Sequence, residues 1–76
     1  MSKLPSVSGK TAIKIFVKIG YRIVRQRGSH IRLLHDEIYR KPLTIPNHRI
    51  LGKGLLRKLL RDSALSVGDF IILLKD

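Results

Sequence analysis

Apolar positions recur at two different periods along the chain, and the change of period marks its elements. From Thr11 to Ile19 the period is helical: Ala12, Phe16 and Ile19 share one side, and Lys10, Lys14 and Lys18 form a stripe on the other. Ser8 is placed to cap this helix and Gly20 to stop it. Tyr21 to Arg25 is short, β-branched and alternating, which predicts a strand. Gln26-Arg27-Gly28 predicts a turn, and Ser29 to His35 a second strand paired with the first. Alternation sets Ile31 and Leu33 on one face of that strand and His30, Arg32 and Leu34 on the other. A turn opens at Asp36-Glu37, and Pro42 to Ile45 predicts a third strand, which its bounding prolines place at an edge. The helical period returns from Lys53 to Arg61, with Leu55, Leu56, Leu59 and Leu60 opposite Arg57, Lys58 and Arg61. Ser66-Val67-Gly68-Asp69 has the spacing of a capping box and opens a short third helix carrying Val67, Phe70, Ile71 and Leu74 on one side. Residues 1–7, with Pro5, read as an irregular lead-in.

The order α-β-β-β-α plus a C-terminal helix predicts a small α+β domain spanning residues 1–76. A three-stranded antiparallel meander must bury one face, and the helices are its only cover. Ile31 and Leu33 then point into the core, while His30 and Arg32 project from the uncovered face. A slip of one residue in register would reverse that placement.

Charge adds a partner class to this picture. Sixteen Lys or Arg against five Asp or Glu give a net charge of +11. The excess is uneven: residues 1–35 contain no acid, whereas residues 62–76 hold three acids and one base. A small basic domain of this kind is suited to a polyanion, with nucleic acid foremost. An α-β-β-β-α domain with basic helix faces suits double-stranded RNA, whose recognition rests on shape, phosphates and 2′-hydroxyls. Lys10, Lys14, Lys18, Lys53, Arg57, Lys58 and Arg61 are the candidate RNA-binding residues. Gly52-Lys53-Gly54 also opens a helix whose free N–H groups favour anions. The absence of cysteine excludes disulfides and thiolate metal sites. No stretch reaches the ~20 apolar residues of a membrane span. The N-terminal residues lack the apolar core of a leader peptide, so the expectation is a cytoplasmic protein without a membrane.

Three histidines, His30, His35 and His48, are the residues able to act as acid and base near neutrality. RNA carries its own nucleophile in the 2′-hydroxyl, so a base to remove that proton and cations to hold the phosphate suffice for cleavage. His30 fits best, following Gly28 and Ser29 at a tight turn and flanked by Arg27 and Arg32. The acids form no paired set for a two-metal nuclease, the histidine spacings match no zinc pattern, and no cofactor motif is present.

Several segments together resemble the HicA (YcfA-like) mRNA interferase toxins of type II toxin–antitoxin systems. They are Gly20-Tyr21, Val24-Arg25-Gln26-Arg27-Gly28-Ser29-His30, Thr44-Ile45-Pro46-Asn47-His48, the helix Gly54 to Leu60, and the ending Leu65-Ser66 with Asp69-Phe70. The resemblance runs from about Ser8 to Leu74. It implies a double-stranded-RNA-binding-domain-like fold, ribosome-independent cleavage of mRNA, and neutralisation by a HicB-type antitoxin; the histidine-and-cation chemistry read from the residues needs no metal. It also implies that His30 is catalytic, with Gly28 and Ser29 in the same motif, and it matches His48 to a second frequent histidine. Where the family commonly reads Gly-Thr-Leu, this chain has Gly54-Leu55-Leu56, which removes a hydroxyl from the helix start. The alternative to an enzyme is a non-catalytic double-stranded-RNA-binding module. The run Phe70 to Leu74 is expected to close the core, and the competing reading is a docking surface for a second copy or an antitoxin.

Overall fold

The Ser8 hydroxyl accepts the N–H of Thr11 at 3.0 Å and so opens α1 (Gly9–Lys18). The computed structural model describes residues 3–76; of the expected lead-in, residues 1 and 2 lie outside them. At the other end of α1, Tyr21 N–H bonds the Phe16 carbonyl and Gly20 N–H the Val17 carbonyl, with Gly20 at φ +107°. This is a Schellman stop, and its usual apolar contact is here an edge-to-face pair, Phe16 on Tyr21 at 5.9 Å. A side chain at position 20 would strike the His35 ring, so the stop requires glycine.

The chain then runs through β1 (Arg22–Arg27), β2 (His30–Leu34), β3 (Leu43–Pro46), α2 (Lys53–Ser63) and α3 (Val67–Lys75). The sheet is antiparallel in the order β1-β2-β3. Ile31 and Leu33 face the core beside Ile45 and Leu43, their partners on β3, as alternation requires. Leu56, Leu59 and Leu60 of α2 and Phe16 of α1 complete that core. α3 closes it through Phe70, fully buried against Phe16 at 6.2 Å, and leaves Ile72 exposed. Ser66 accepts from Asp69 N–H at 3.0 Å, the half of the capping box that protects the helix start.

The core also includes residues that periodicity does not select. Leu4 and Val7 of the lead-in are buried, as is Leu51 between β3 and α2. Backbone pairing explains the burial of Val7 and Leu51: Leu51 N–H bonds the Val7 carbonyl at 2.8 Å and Gly9 N–H the His48 carbonyl at 2.9 Å. The lead-in and the 47–51 loop therefore hold each other against the helices. In contrast, every residue of β1 is exposed, because no helix reaches over that strand.

The connection from β2 to β3 is tied to the end of α2. Arg40 donates to the Ser63 carbonyl at 2.7 Å, and Lys41 N–H to the Asp62 carbonyl at 2.8 Å. Tyr21, only 2% exposed, donates its hydroxyl to the Lys41 carbonyl at 2.8 Å. Burial pushes the Tyr21 phenol up from 10.0 to about 12. The folded chain thus keeps a proton that the unfolded chain releases above pH 10, so stability falls as pH rises from 10 towards 12. Tyr21→Phe is expected to cost about 1 kcal/mol at neutral pH through the lost hydrogen bond. Its deficit relative to wild type should shrink or reverse by pH 12, as denaturant unfolding at the two pH values will show. A constant difference across that interval would contradict the assignment.

Candidate nucleic-acid interface

The β1–β2 turn is Gly28-Ser29: Gln26 and Arg27, expected in the turn, belong to β1, and Ser29, expected to open β2, belongs to the turn. Arg27 and His30 pair directly across it. Gly28 has φ +55° and Ser29 does not share the positive sign, the pattern of a two-residue hairpin turn with glycine first. Gln26 donates its side-chain amide to the Gly28 carbonyl at 3.0 Å and braces the turn. On the other side Asn47 N–H bonds the Ser29 carbonyl at 2.6 Å. His30 is therefore exposed on a short, doubly held hairpin end, and the Asn47-His48 segment lies beside it.

A register irregularity in β1 decides what surrounds His30. Ile23 pairs with Leu33, but Arg25 pairs with Arg32, so the partner advances by one while β1 advances by two. Simple alternation would put Arg25 and Arg27 on the Ile23 face. The bulge at Val24 moves both onto the face of Arg32 and His30. The uncovered face consequently carries Arg22, Arg25, Arg27, Arg32 and His30. Arg25 is the functional candidate that a sequence reading misses, because nothing in the residue pattern announces the bulge.

These cations are not equivalent. Arg22 bonds Asp36 at 2.6 Å and, by that hydrogen bond first, holds its carboxyl below the usual carboxylate range. Arg32 donates to the Thr44 hydroxyl at 3.0 Å, which aims its guanidinium along the sheet. Arg25 and Arg27 are exposed, and their side chains have no hydrogen-bond partner among the described residues. They remain available to an anion.

The three histidines separate by environment. His35 is largely buried, with Nε2 at 2.8 Å from the Ile19 carbonyl and Nδ1 accepting Glu37 N–H at 3.0 Å. Those two bonds fix the tautomer with the proton on Nε2, and the ring packs edge-on against Tyr21 at 4.9 Å. His35 is a structural pin. His30 and His48 are both exposed, and neither side chain is hydrogen-bonded among the described residues. The loop places them at the same end of the sheet.

The helix stripes lie elsewhere. α1 and α2 pack on the Ile31–Leu33 face, so their bases are on the opposite side of the sheet from His30. Lys10, Lys14, Lys53, Arg57 and Arg61 are exposed there. Lys18 instead donates to the Leu73 carbonyl at 3.2 Å and ties α1 to the end of α3. Lys58 bonds Asp62 at 2.8 Å, and that bond draws the Asp62 carboxyl below its ordinary range. Lys10 follows Gly9, whose N–H bonds the His48 carbonyl. Between α1 and β1 runs an open groove of roughly 260 Å³, lined by Lys10, Ile13, Lys14, Ile23, Ile31 and Asn47. No three acidic or histidine side chains cluster as metal ligands among the described residues, and none of the helices described there is long and apolar enough to cross a membrane.

A family model described as the HicA toxin of bacterial toxin–antitoxin systems matches residues 9–65, from the first residue of α1 to the buried Leu65. No curated protein and no solved structure matches the chain.

Proposed function

The chain belongs to the HicA toxin family of bacterial toxin–antitoxin systems, and on that premise we propose that it is an endoribonuclease whose general base is His30. The observation that carries this reading is the exposed His30 directly opposite Arg27, with Arg25 and Arg32 on the same uncovered sheet face. A single-stranded or locally opened mRNA laid over this face meets cations for its phosphates and an imidazole for its 2′-hydroxyl. His30 removes the 2′-hydroxyl proton as the 2′-oxygen attacks the adjacent phosphorus. Arg27 and Arg32 hold the non-bridging oxygens, where negative charge grows in the transition state. The bond from phosphorus to the 5′-oxygen breaks, and that oxygen takes a proton from water on the open face. The products are a 2′,3′-cyclic phosphate and a 5′-hydroxyl. His48 sits on the loop held to Ser29, at the same end of the sheet as His30.

The scheme uses no metal ion, and a HicB-type antitoxin would silence it by covering the arginine face. Purified protein is expected to cut an mRNA transcript in excess chelator, leaving ends that mass spectrometry identifies as cyclic phosphate and 5′-hydroxyl. A single 2′-deoxynucleotide at the cut position should block cleavage there. Cleavage that needs a divalent ion, or 5′-phosphate ends, would refute this chemistry. Salt-sensitive RNA binding without cleavage would instead support a non-catalytic binding module.

A further inference from the structure

The free edge of β1 and the groove beside it form one surface with two chemically different sides. We propose that this surface takes an extended strand of a partner protein, one that alternates apolar and acidic residues. The inference rests on the toxin reading, in which an antitoxin must recognise this chain, and it names the surface and the sequence pattern recognised.

Four observations carry it. First, β1 is an edge strand of six residues, all exposed, and none of its main-chain groups bonds outside the sheet among the described residues. Such an edge is a template for strand addition. Second, Ile23 is 55% exposed and lies over the groove, where Ile13 and Ile31 provide an apolar floor. A nucleic-acid backbone has nothing apolar to place there, whereas an added strand presents a side chain at every second position. Third, the bulge at Val24 turns Arg25 and Arg27 to the opposite face, so the two sides of the same edge demand opposite chemistry. Apolar residues of the incoming strand would face Ile23 and the groove, and its acids would face the arginines. Lys10 and Lys14 on the groove rim add to the preference for an acidic partner. Fourth, charge argues against a second copy: two β1 edges in register would bring Arg22, Arg25 and Arg27 of each chain together on a protein of net charge +11.

The geometry also couples binding to silencing. Acids paired with Arg25 and Arg27 would occupy the cations that flank His30, so strand addition and RNA engagement at these residues exclude each other.

The test uses the full chain and a synthetic peptide alternating valine with aspartate. A control peptide has the same composition, with the two residue types in separate blocks. Fluorescence anisotropy should show the alternating peptide binding more tightly than the block peptide by at least about tenfold. Amide hydrogen exchange should slow selectively in β1. Ile23→Asp, a change at an exposed position, should weaken the alternating peptide by roughly tenfold or more while leaving the fold intact by circular dichroism. Added RNA oligonucleotide should displace the peptide. Equal affinity for the two peptides, protection outside β1, or indifference to Ile23→Asp would each overturn the proposal. So would Ile23-dependent protection of β1 by RNA itself, or self-association through β1. None of these measurements needs cleavage. Peptide binding without RNA cleavage would remove the nuclease reading alone, and cleavage without peptide binding would remove this inference alone.

Discussion

His30→Ala is expected to lower the rate of RNA cleavage by roughly 10²–10⁴-fold, the usual contribution of a positioned general base. The protein should otherwise remain itself. His30 is exposed and its side chain is not hydrogen-bonded among the described residues, so its loss should change stability by no more than about 0.5 kcal/mol. RNA affinity should survive, with an unchanged salt dependence, because Arg25, Arg27 and Arg32 still face the same side. That split separates a base from a binding residue. A histidine that only held phosphate would lose affinity and cleavage together. Exogenous imidazole gives a second discrimination. The hairpin end is open to solvent, so free imidazole can reach the space left by the missing ring and restore part of the rate. Single-turnover cleavage and anisotropy binding on the same preparation check both arms. Full activity in the alanine variant would remove His30 from the reaction, and the remaining exposed histidine at that end, His48, would be the residue to test next.

The fold was legible in the sequence where local signals agree. Ser8, Gly20 and Ser66 cap or stop helices as their positions suggest, and Ile31 and Leu33 fix the register of the central strand. The site was legible to the extent that turn chemistry places it: Gly28-Ser29-His30 lies at a hairpin end, and alternation turns His30 outward. The rest depends on contacts between segments distant in sequence. The bulge in β1 is a mismatch between two strands, and neither strand encodes it alone, so Arg25 could not be assigned to the His30 face. The three histidines look alike as residue types. Only the approach of Ile19 and Glu37 separates His35 as a structural pin. The basic stripes of α1 and α2 face solvent, as their helical period predicts. That they sit across the sheet from His30 follows from packing, and two of their members, Lys18 and Lys58, are engaged within the fold. Val7 is buried where its carbonyl pairs with the 47–51 loop, Leu4 is buried ahead of it, and periodicity cannot register either.

The same segments meet at Gly9, and Gly9→Ala is expected to cost about 3 kcal/mol, at the upper end of overpacking penalties. A β-carbon at Gly9 would overlap the Pro46 carbonyl oxygen and lie 3.0 Å from its carbon and 3.2 Å from the Asn47 Cα. All three are main-chain atoms, so no side chain can swing aside. To relieve the contact, the start of α1 must withdraw from the end of β3 by about an ångström or more. That movement strains the Gly9–His48 hydrogen bond and the neighbouring pairing of Leu51 with Val7. The gain in helix propensity from glycine to alanine, at most about 1 kcal/mol, does not offset this. For a chain of this length the penalty corresponds to a fall of roughly 15 °C in Tm. Gly54→Ala supplies the control. It is also a glycine near a helix start, with nothing within 4 Å of its would-be β-carbon, and it should leave Tm unchanged or raise it. The pair therefore distinguishes a steric role from a general intolerance of alanine. Thermal melts of the two variants would decide it, and a Gly9→Ala protein melting with wild type would show that α1 and β3 do not meet this closely. The consequence for function follows from the same contact. Gly9 holds the carbonyl of His48, and Asn47 holds Ser29 at the hairpin turn, so whatever Gly9→Ala protein stays folded should cleave RNA more slowly, because the hairpin end that presents His30 is no longer held from both sides.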